Sequence, residues 1–261
     1  MKIIVCIKQV PDTTDVRINP ETNTLIREGV ESIINPFDLY AIEEAVRIKE
    51  AHGGEVTVIS MGPPQVESAL REAISLGADN AVHLCDRAFA GADTWATSYA
   101  LARGIRKIQD YDLIICGKQA IDGDTAQVGP GIAVGLDIPQ LTYVRKIEEI
   151  SEGKIRVQRM TEEGHQVLEG DLPCLLTVVK EINEPRLPSL KGKMKAKKAE
   201  ITVWTAEDIE AEPELIGLDG SPTQVVKIFS PPPREGGEIF QGDPEEIAGR
   251  LVSALENNKI I

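Results

Sequence analysis

Four short apolar runs constrain this chain more than any other feature of it. The runs at residues 3–7, 56–61, 81–85 and 113–116 are each four to six residues long and rich in β-branched side chains. A strand with one solvated face alternates apolar and polar residues. A strand covered on both faces reads as nearly continuous hydrophobicity, the habit of parallel strands in α/β proteins. Between the runs the spacing turns helical. Phe37, Ala41, Ala45 and Ile48 fall at i, i+4, i+8 and i+11 behind Asn35-Pro36, which predicts an N-cap and a proline at the first helical position. That helix stops at Gly53-Gly54. Val66, Ala69, Leu70, Ala73 and Leu76 stripe a second helix capped by Gly77. Asp93 or Thr94 opens a third, with Ser98, Leu101, Ala102, Ile105 and Ile108 inward. Strands alternating with helices predict an α/β fold, a doubly wound and mostly parallel sheet with right-handed crossovers.

Other segments break this rhythm. Residues 16–18 and 24–26 read as a small hairpin about Asn19-Pro20-Glu21-Thr22-Asn23, and residues 155–159 and 166–168 as another about Glu162-Glu163-Gly164. Pro173 leads into a further buried strand at 174–179. From Pro185 onward apolar anchors become scarce until Asp243-Pro244, which caps a last helix carrying Ile247, Leu251 and Leu255. Six basic residues and no acidic one lie between Arg186 and Lys198, and Ser230-Pro231-Pro232-Pro233 is stiff. The expectation is a domain at 1–185 followed by an arm at 186–261, too poor in core to fold alone and suited to wrapping a partner.

Charge and cysteine usage remove several function classes. The chain carries 42 acidic against 28 basic residues, a net charge of −14, where general nucleic-acid binding needs a basic face. Cys6, Cys85, Cys116 and Cys174 stand apart, without metal-ligand spacing or a disulfide framework, which predicts a reducing cytoplasm. The apolar start is too short for a signal peptide and reads as the first strand. No stretch approaches the roughly 20 apolar residues of a membrane span. There is no G-x-G-x-x-G after the first strand and no phosphate-loop motif. His52, His83 and His165 are far apart, so a nucleophile–base assembly has no support, and no catalytic side chain or metal site is expected.

The candidate site is a nucleotide pocket built from strand ends. Its largest part is Gly117-Lys118-Gln119-Ala120-Ile121-Asp122-Gly123-Asp124-Thr125-Ala126-Gln127-Val128-Gly129-Pro130, small and polar, after one strand and before helical Ile132 to Leu136. In open sheets that carboxyl edge is where ligands bind, and the helix start favours anions. Asp122 and Asp124 are either paired acid/base carboxylates, helix caps or ribose acceptors. Further walls are Cys6 with Lys8, Asn35-Pro36-Phe37-Asp38, Met61-Gly62, and Asp93-Thr94 with Thr97. Each alone reads equally as strand-end packing, a turn or a cap. Their common edge makes them a site.

These residues resemble the β subunit of electron transfer flavoprotein over essentially the whole chain. The similar segments are Val5-Cys6-Ile7-Lys8-Gln9-Val10-Pro11-Asp12, Asn35-Pro36-Phe37-Asp38, Gly117-Lys118-Gln119-Ala120-Ile121-Asp122 and Asn183-Glu184-Pro185-Arg186. The family signature is carried by Val157, Arg159, Glu162-Glu163-Gly164, Gln166, Leu168, Pro173 and Leu175-Leu176-Thr177. The resemblance implies a Rossmann-like domain and an obligate heterodimer with an FAD-bearing α subunit. It implies that Cys6, Asn35 to Asp38, Met61 and Gly117 to Val128 line the nucleotide site. It also implies that Leu190 with Lys191, before Met194-Lys195-Ala196-Lys197-Lys198, forms a loop docking an acyl-CoA dehydrogenase or related flavin dehydrogenase.

One branch of the family holds structural AMP in this site. Another holds a second FAD and bifurcates electrons. Asp122 to Pro130, Asp93-Thr94-Trp95-Ala96-Thr97-Ser98 and Ser221-Pro222-Thr223-Gln224 look like the bifurcating branch; the AMP branch carries bulkier or charged groups in the loop. That resemblance implies hydride from NADH to this subunit's FAD, one electron to the α-subunit FAD and one to ferredoxin or flavodoxin. A stand-alone nucleotide sensor is the reading from another class, and the coreless tail counts against it.

Overall fold

Ile3, Ile4 and Val5 of β1 (Lys2–Cys6) are fully shielded from solvent, so consecutive residues face opposite sides and both sides are covered. That places β1 at the middle of the sheet. The structure is a computed structural model that describes residues 1–12, 32–227 and 237–261. The hairpin expected at 16–26 and the proline run at 230–233 lie outside the described residues. The elements follow the predicted alternation. A short β2 (Gln9–Pro11) pairs antiparallel with β3 (Ser32–Ile34) and leads into α1 (Pro36–His52). Next come β4 (Glu55–Met61), α2 (Glu67–Leu76), β5 (Asn80–Leu84), α3 (Thr94–Ile108), β6 (Leu113–Gly117) and α4 (Val128–Leu136).

Among the described residues the main sheet has nine strands. β5, β4, β1 and β6 run parallel, followed by β10 (Cys174–Val178) and the first part of β7 (Gln140–Ser151). Beyond β7 the sheet turns antiparallel through β8 (Lys154–Thr161) and β9 (Gly164–Asp171). Ile3 and Val5 pack with α1 and α2 on one face; Ile4 and Cys6 pack with α3 and α4 on the other. The α4 backbone lies close to the sheet and to α3. A Cβ on Gly129 would come within 2.7 Å of Thr177 Cγ2, and one on Gly131 within 2.5 Å of Ser98 Oγ. Glycine at both positions is what permits that approach.

Three features differ from the sequence expectation. β7 is a twelve-residue strand that periodicity did not indicate, because Lys146, Glu148 and Glu149 break up its apolar pattern. The basic stretch expected as a docking loop is a helix, α5 (Leu190–Lys198), started by Ser189 Oγ accepting the Gly192 N–H at 3.0 Å. A further strand, β11 (Thr202–Trp204), joins the sheet edge beside β5.

Residues Met1–Val226 therefore form one compact unit, and Lys227–Ile261 form another. The tail expected from 186 is bound into the first unit as far as Val226. Arg186 donates to Glu43 at 2.8 Å and to Glu50 at 2.6 Å. Arg71 donates to the carbonyls of Ala196 and Ala199, and Lys195 to Ala78 and Asp79. In the second unit Asp243 caps α6 (Pro244–Asn257), accepting the Glu245 N–H, and no α6 residue is buried. No helix among the described residues is long and apolar enough to cross a membrane.

Truncating Ile115, fully buried in β6, removes packing on one sheet face. Ile115→Ala should lower the unfolding free energy by about 3 kcal/mol. Val134→Ala, at a site 70% exposed, should stay within about 0.5 kcal/mol. Urea denaturation of both variants measures the difference.

Candidate functional site

The chain builds β4 and β5 to one side of β1 and then returns to lay β6 against its other side. Such a reversal of strand order leaves a crevice at the carboxyl ends of the two central strands. Here those ends are Cys6 and Cys116, paired in register, followed by Ile7-Lys8 and Gly117-Lys118.

The amino end of α1 drives into this crevice. A Cβ on Gly117 would sit 2.3 Å from Asp38 Oδ1 and 2.7 Å from the Phe37 carbonyl carbon, so only glycine allows the approach. Asp38 is buried and its Oδ2 accepts the Lys8 N–H at 2.7 Å. Burial pushes its carboxyl up to about 7, against hydrogen bonds from Asn35, Lys8 and Gly117 and the Lys8 charge. Asn35, expected as a capping side chain, makes no cap hydrogen bond to α1. Its amide instead donates to the Gln119 carbonyl at 2.9 Å and accepts the Ile121 N–H at 3.1 Å. One side chain thus fixes the start of the β6–α4 loop.

That loop is shorter than expected, residues 118–127, because α4 already begins at Val128. Asp122 and Asp124 do not cap α4, whose N-cap is Gln127. Asp122 pairs with Lys8, whose Nζ reaches both carboxylate oxygens at 2.6 and 2.8 Å. Asp124 accepts from the Gln119 side chain, and its N–H donates to the Ala120 carbonyl at 2.8 Å. Asp124 and Ala126 both take the left-handed conformation, φ 55° each. Alternation of hands along a loop turns backbone N–H groups toward a common concavity.

A second wall comes from α3. Asp93, rather than Thr94, is its cap, accepting the Ala96 N–H at 3.1 Å. The Asp93 Oδ2 also accepts from the Thr223 N–H and hydroxyl, and Ser221 Oγ accepts the Asp93 N–H at 2.8 Å. The Ser221 and Thr223 of the sequence-predicted set are thereby brought to α3, while Gln224 is solvent-exposed beside them. The Thr94 hydroxyl meets the Thr125 hydroxyl at 3.3 Å, linking α3 to the loop. Thr97 is half-buried, its N–H on the Asp93 carbonyl.

Met61 and Gly62 end β4 on the same edge. Gly62 donates to the Leu84 carbonyl, and its own carbonyl meets His83 Nε2 at 3.0 Å. Leu190, Lys191 and Met194 are exposed on α5, whereas Lys195 turns its ammonium back to Ala78 and Asp79.

Sequence reasoning missed one participant. Tyr143 of β7 stands at this edge, its ring 5.3 Å from Lys118 Nζ, with Phe37 5.6 Å away from the same ammonium. Nothing in its spacing announces it, since a register shift in β7 creates the position.

This donor set suits an anionic nucleotide. The Lys8 and Lys118 ammonium groups and the Thr94 and Thr125 hydroxyls gather about the β6–α4 loop, and a Cβ on Gly123 would meet nothing nearer than Lys8 Nζ at 4.0 Å. A hollow on the opposite edge, lined by Met1, Lys2, Gly54, Glu55, Asp110, Tyr111 and Asp112, includes three carboxylates that repel anions. The Cys116 thiol is held well above its usual range by its hydrogen bond with Cys6 and by burial, so it is a poor nucleophile. Among the described residues no three His, Cys, Asp or Glu side chains are placed to hold a metal ion.

The comparisons with known proteins agree with this architecture. A family profile described as "Electron transfer flavoprotein domain" matches residues 22–209. The chain is 56% identical over 262 residues to the electron transfer flavoprotein subunit beta of Thermoanaerobacterium thermosaccharolyticum, covering the whole of both. It is 54% identical over 263 residues to the caffeyl-CoA reductase-Etf complex subunit CarD of Acetobacterium woodii, again over both whole chains. With protein FixA of Azotobacter vinelandii the identity is 50% over 266 residues, 98% of this chain and 94% of that one.

Asp38 has a directional pH signature. Its folded pKa, about 7, lies above the ordinary 3.8, so the native state holds the proton more tightly. The stability it contributes is complete below about pH 4 and is lost as pH rises through about 7. Asp38→Asn should remove that slope. Denaturation midpoints between pH 4 and 8 should show wild type losing ground to the variant as pH rises.

Proposed function

The chain belongs to the electron transfer flavoprotein family, as a β-type subunit, and on that premise we propose that its carboxyl-edge crevice binds FAD in a bifurcating complex. The observation that carries this reading is the opening of the β6–α4 loop. A Cβ on Gly123 would meet nothing nearer than Lys8 Nζ at 4.0 Å, Thr125 and Ala126 are small, and the Thr94 hydroxyl meets that of Thr125. AMP would need less room, and it remains the alternative ligand by family membership.

When bound, FAD would supply the redox chemistry, accepting hydride from NADH and releasing electrons to an α-subunit FAD and to ferredoxin or flavodoxin. The residues of this chain bind and orient. Lys118 and the loop N–H groups would meet phosphate, and Thr94 and Thr125 would offer hydroxyls to the ring system. Lys8 and Asp122 hold one flank of the crevice, and Asn35 holds the loop in place. No side chain acts as nucleophile or general base. The arm from Lys227, with Leu251 and Val252 exposed on α6, would embrace the α subunit. Leu190 and Met194 on α5 would dock an acyl-CoA or related dehydrogenase, and the cytoplasm is the proposed location. A protruding apolar pair among lysines suits an anchor with charge steering.

Nucleotide content of the purified heterodimer tests this. About two FAD per heterodimer support the proposal, whereas about one FAD with one AMP supports the alternative. Thr125→Arg should reduce the count to about one FAD while the heterodimer survives on gel filtration. Unchanged flavin content in that variant would place the ligand elsewhere.

A further inference from the structure

Tyr143 holds a backbone conformation that its side chain disfavours. Its φ is 59°, in the left-handed region, inside a strand. For a bulky aromatic residue this is a true outlier, sustained only by its surroundings. The cause is visible in the register. Leu176 pairs with Leu141 and Val178 with Val144, so two steps along β10 face three along β7. The surplus residue bulges, and the N–H it frees is taken by the buried hydroxyl of Thr177 at 3.0 Å. Bulges beside binding sites serve to re-aim a side chain.

Here the re-aimed side chain meets Lys118. The ammonium lies 5.3 Å from the Tyr143 ring and 5.6 Å from the Phe37 ring, both within cation–π range. Phe37 reaches it from α1 and Tyr143 from β7, two places along the sheet from β6, so the two rings come from separate elements. The backbone of Lys118 is fixed as well, its N–H on the Val178 carbonyl at 2.9 Å. The neighbouring cation, Lys8, is already neutralised by Asp122. Among the described residues Lys118 has aromatic rings and no carboxylate as its partners. Rings position an ammonium without cancelling its charge.

We propose that Tyr143 is a positioning residue for the nucleotide site, its strained bulge holding the Lys118 ammonium at the crevice to receive a ligand phosphate. This rests on the nucleotide reading above. The tyrosine ring acts through Lys118 and need not touch the ligand. Lys118 supplies at this edge a positive charge that no carboxylate among the described residues pairs with.

The test uses heterodimer depleted of nucleotide, with AMP and adenosine as probes, since the two differ only by the phosphate. Wild type should prefer AMP. Tyr143→Gly, which relaxes the backbone and removes the ring, should narrow that preference about tenfold while adenosine affinity holds. Lys118→Met should narrow it equally, and the double variant no further. Tyr143→Phe should stay within about twofold of wild type. Melting of Tyr143→Gly should fall little, because the relieved φ offsets lost ring contacts. Tyr143→Asn, also at home at positive φ, is the second ringless variant should the glycine form fail to express. A wild-type AMP-to-adenosine ratio in the ringless variant would overturn the inference and leave the nucleotide reading intact. Wild type that binds neither probe would overturn both.

Discussion

The site depends on one close approach, that of the α1 amino end to the end of β6. Asp38 can be buried there only because residue 117 has no side chain, and Asn35 can reach Gln119 and Ile121 only because α1 lies that near. The two conditions reinforce each other. With the strand end and helix start in contact, the Asn35 amide replaces water as partner for two backbone groups of the loop, satisfying donors and acceptors that would be costly to bury alone. The start of the loop is thereby held in place. A carboxyl group buried at the same point, with its proton held to about pH 7, reflects how dry that contact is.

Charge is distributed with the same economy. The Lys8–Asp122 pair is short but its side chains are 49% and 33% exposed, so it contributes little to stability and chiefly fixes geometry. The Arg186–Glu43 pair is different. Glu43, on α1, is almost wholly buried and is shared with Arg47, so losing Arg186 would leave a buried carboxylate with one of its two cations. Through that pair, and through Lys195 with Asp79, the segment leading to α5 is anchored to α1 and to the α2–β5 turn. The exposed Leu190 and Met194 are consequently presented from a fixed helix.

Much of this was legible beforehand because burial on both faces leaves a plain mark on a strand. The runs at 3–7, 56–61, 81–85 and 113–116 correspond to β1, β4, β5 and β6, and the stripes between them to α1, α2 and α3. The small-residue loop and the edge it occupies were readable for the same reason. Two strands outside that central group gave less away. β7 carries Lys146, Glu148 and Glu149 because its outer half is solvated, and β11 has only three residues. The lysine-rich stretch at α5 read as a docking loop rather than a helix because that helix rests on few apolar contacts, Ala196 foremost, and on carbonyls reached by Arg71.

What the sequence by itself determined is the order of the central strands and the helices between them, the acidic character, the family and the edge where the candidate residues gather. These follow from local periodicity and from residue types at fixed spacing. Only the tertiary structure decided what each of those residues does. Asn35 could as well have capped its helix, Asp122 the next one, and Tyr143 could have lain flat in an ordinary strand. Which partner wins depends on which groups lie within a few ångströms once the layers close. That distance is set by packing between segments roughly a hundred residues apart in the chain, as with Lys8 and Asp122. No local pattern encodes it.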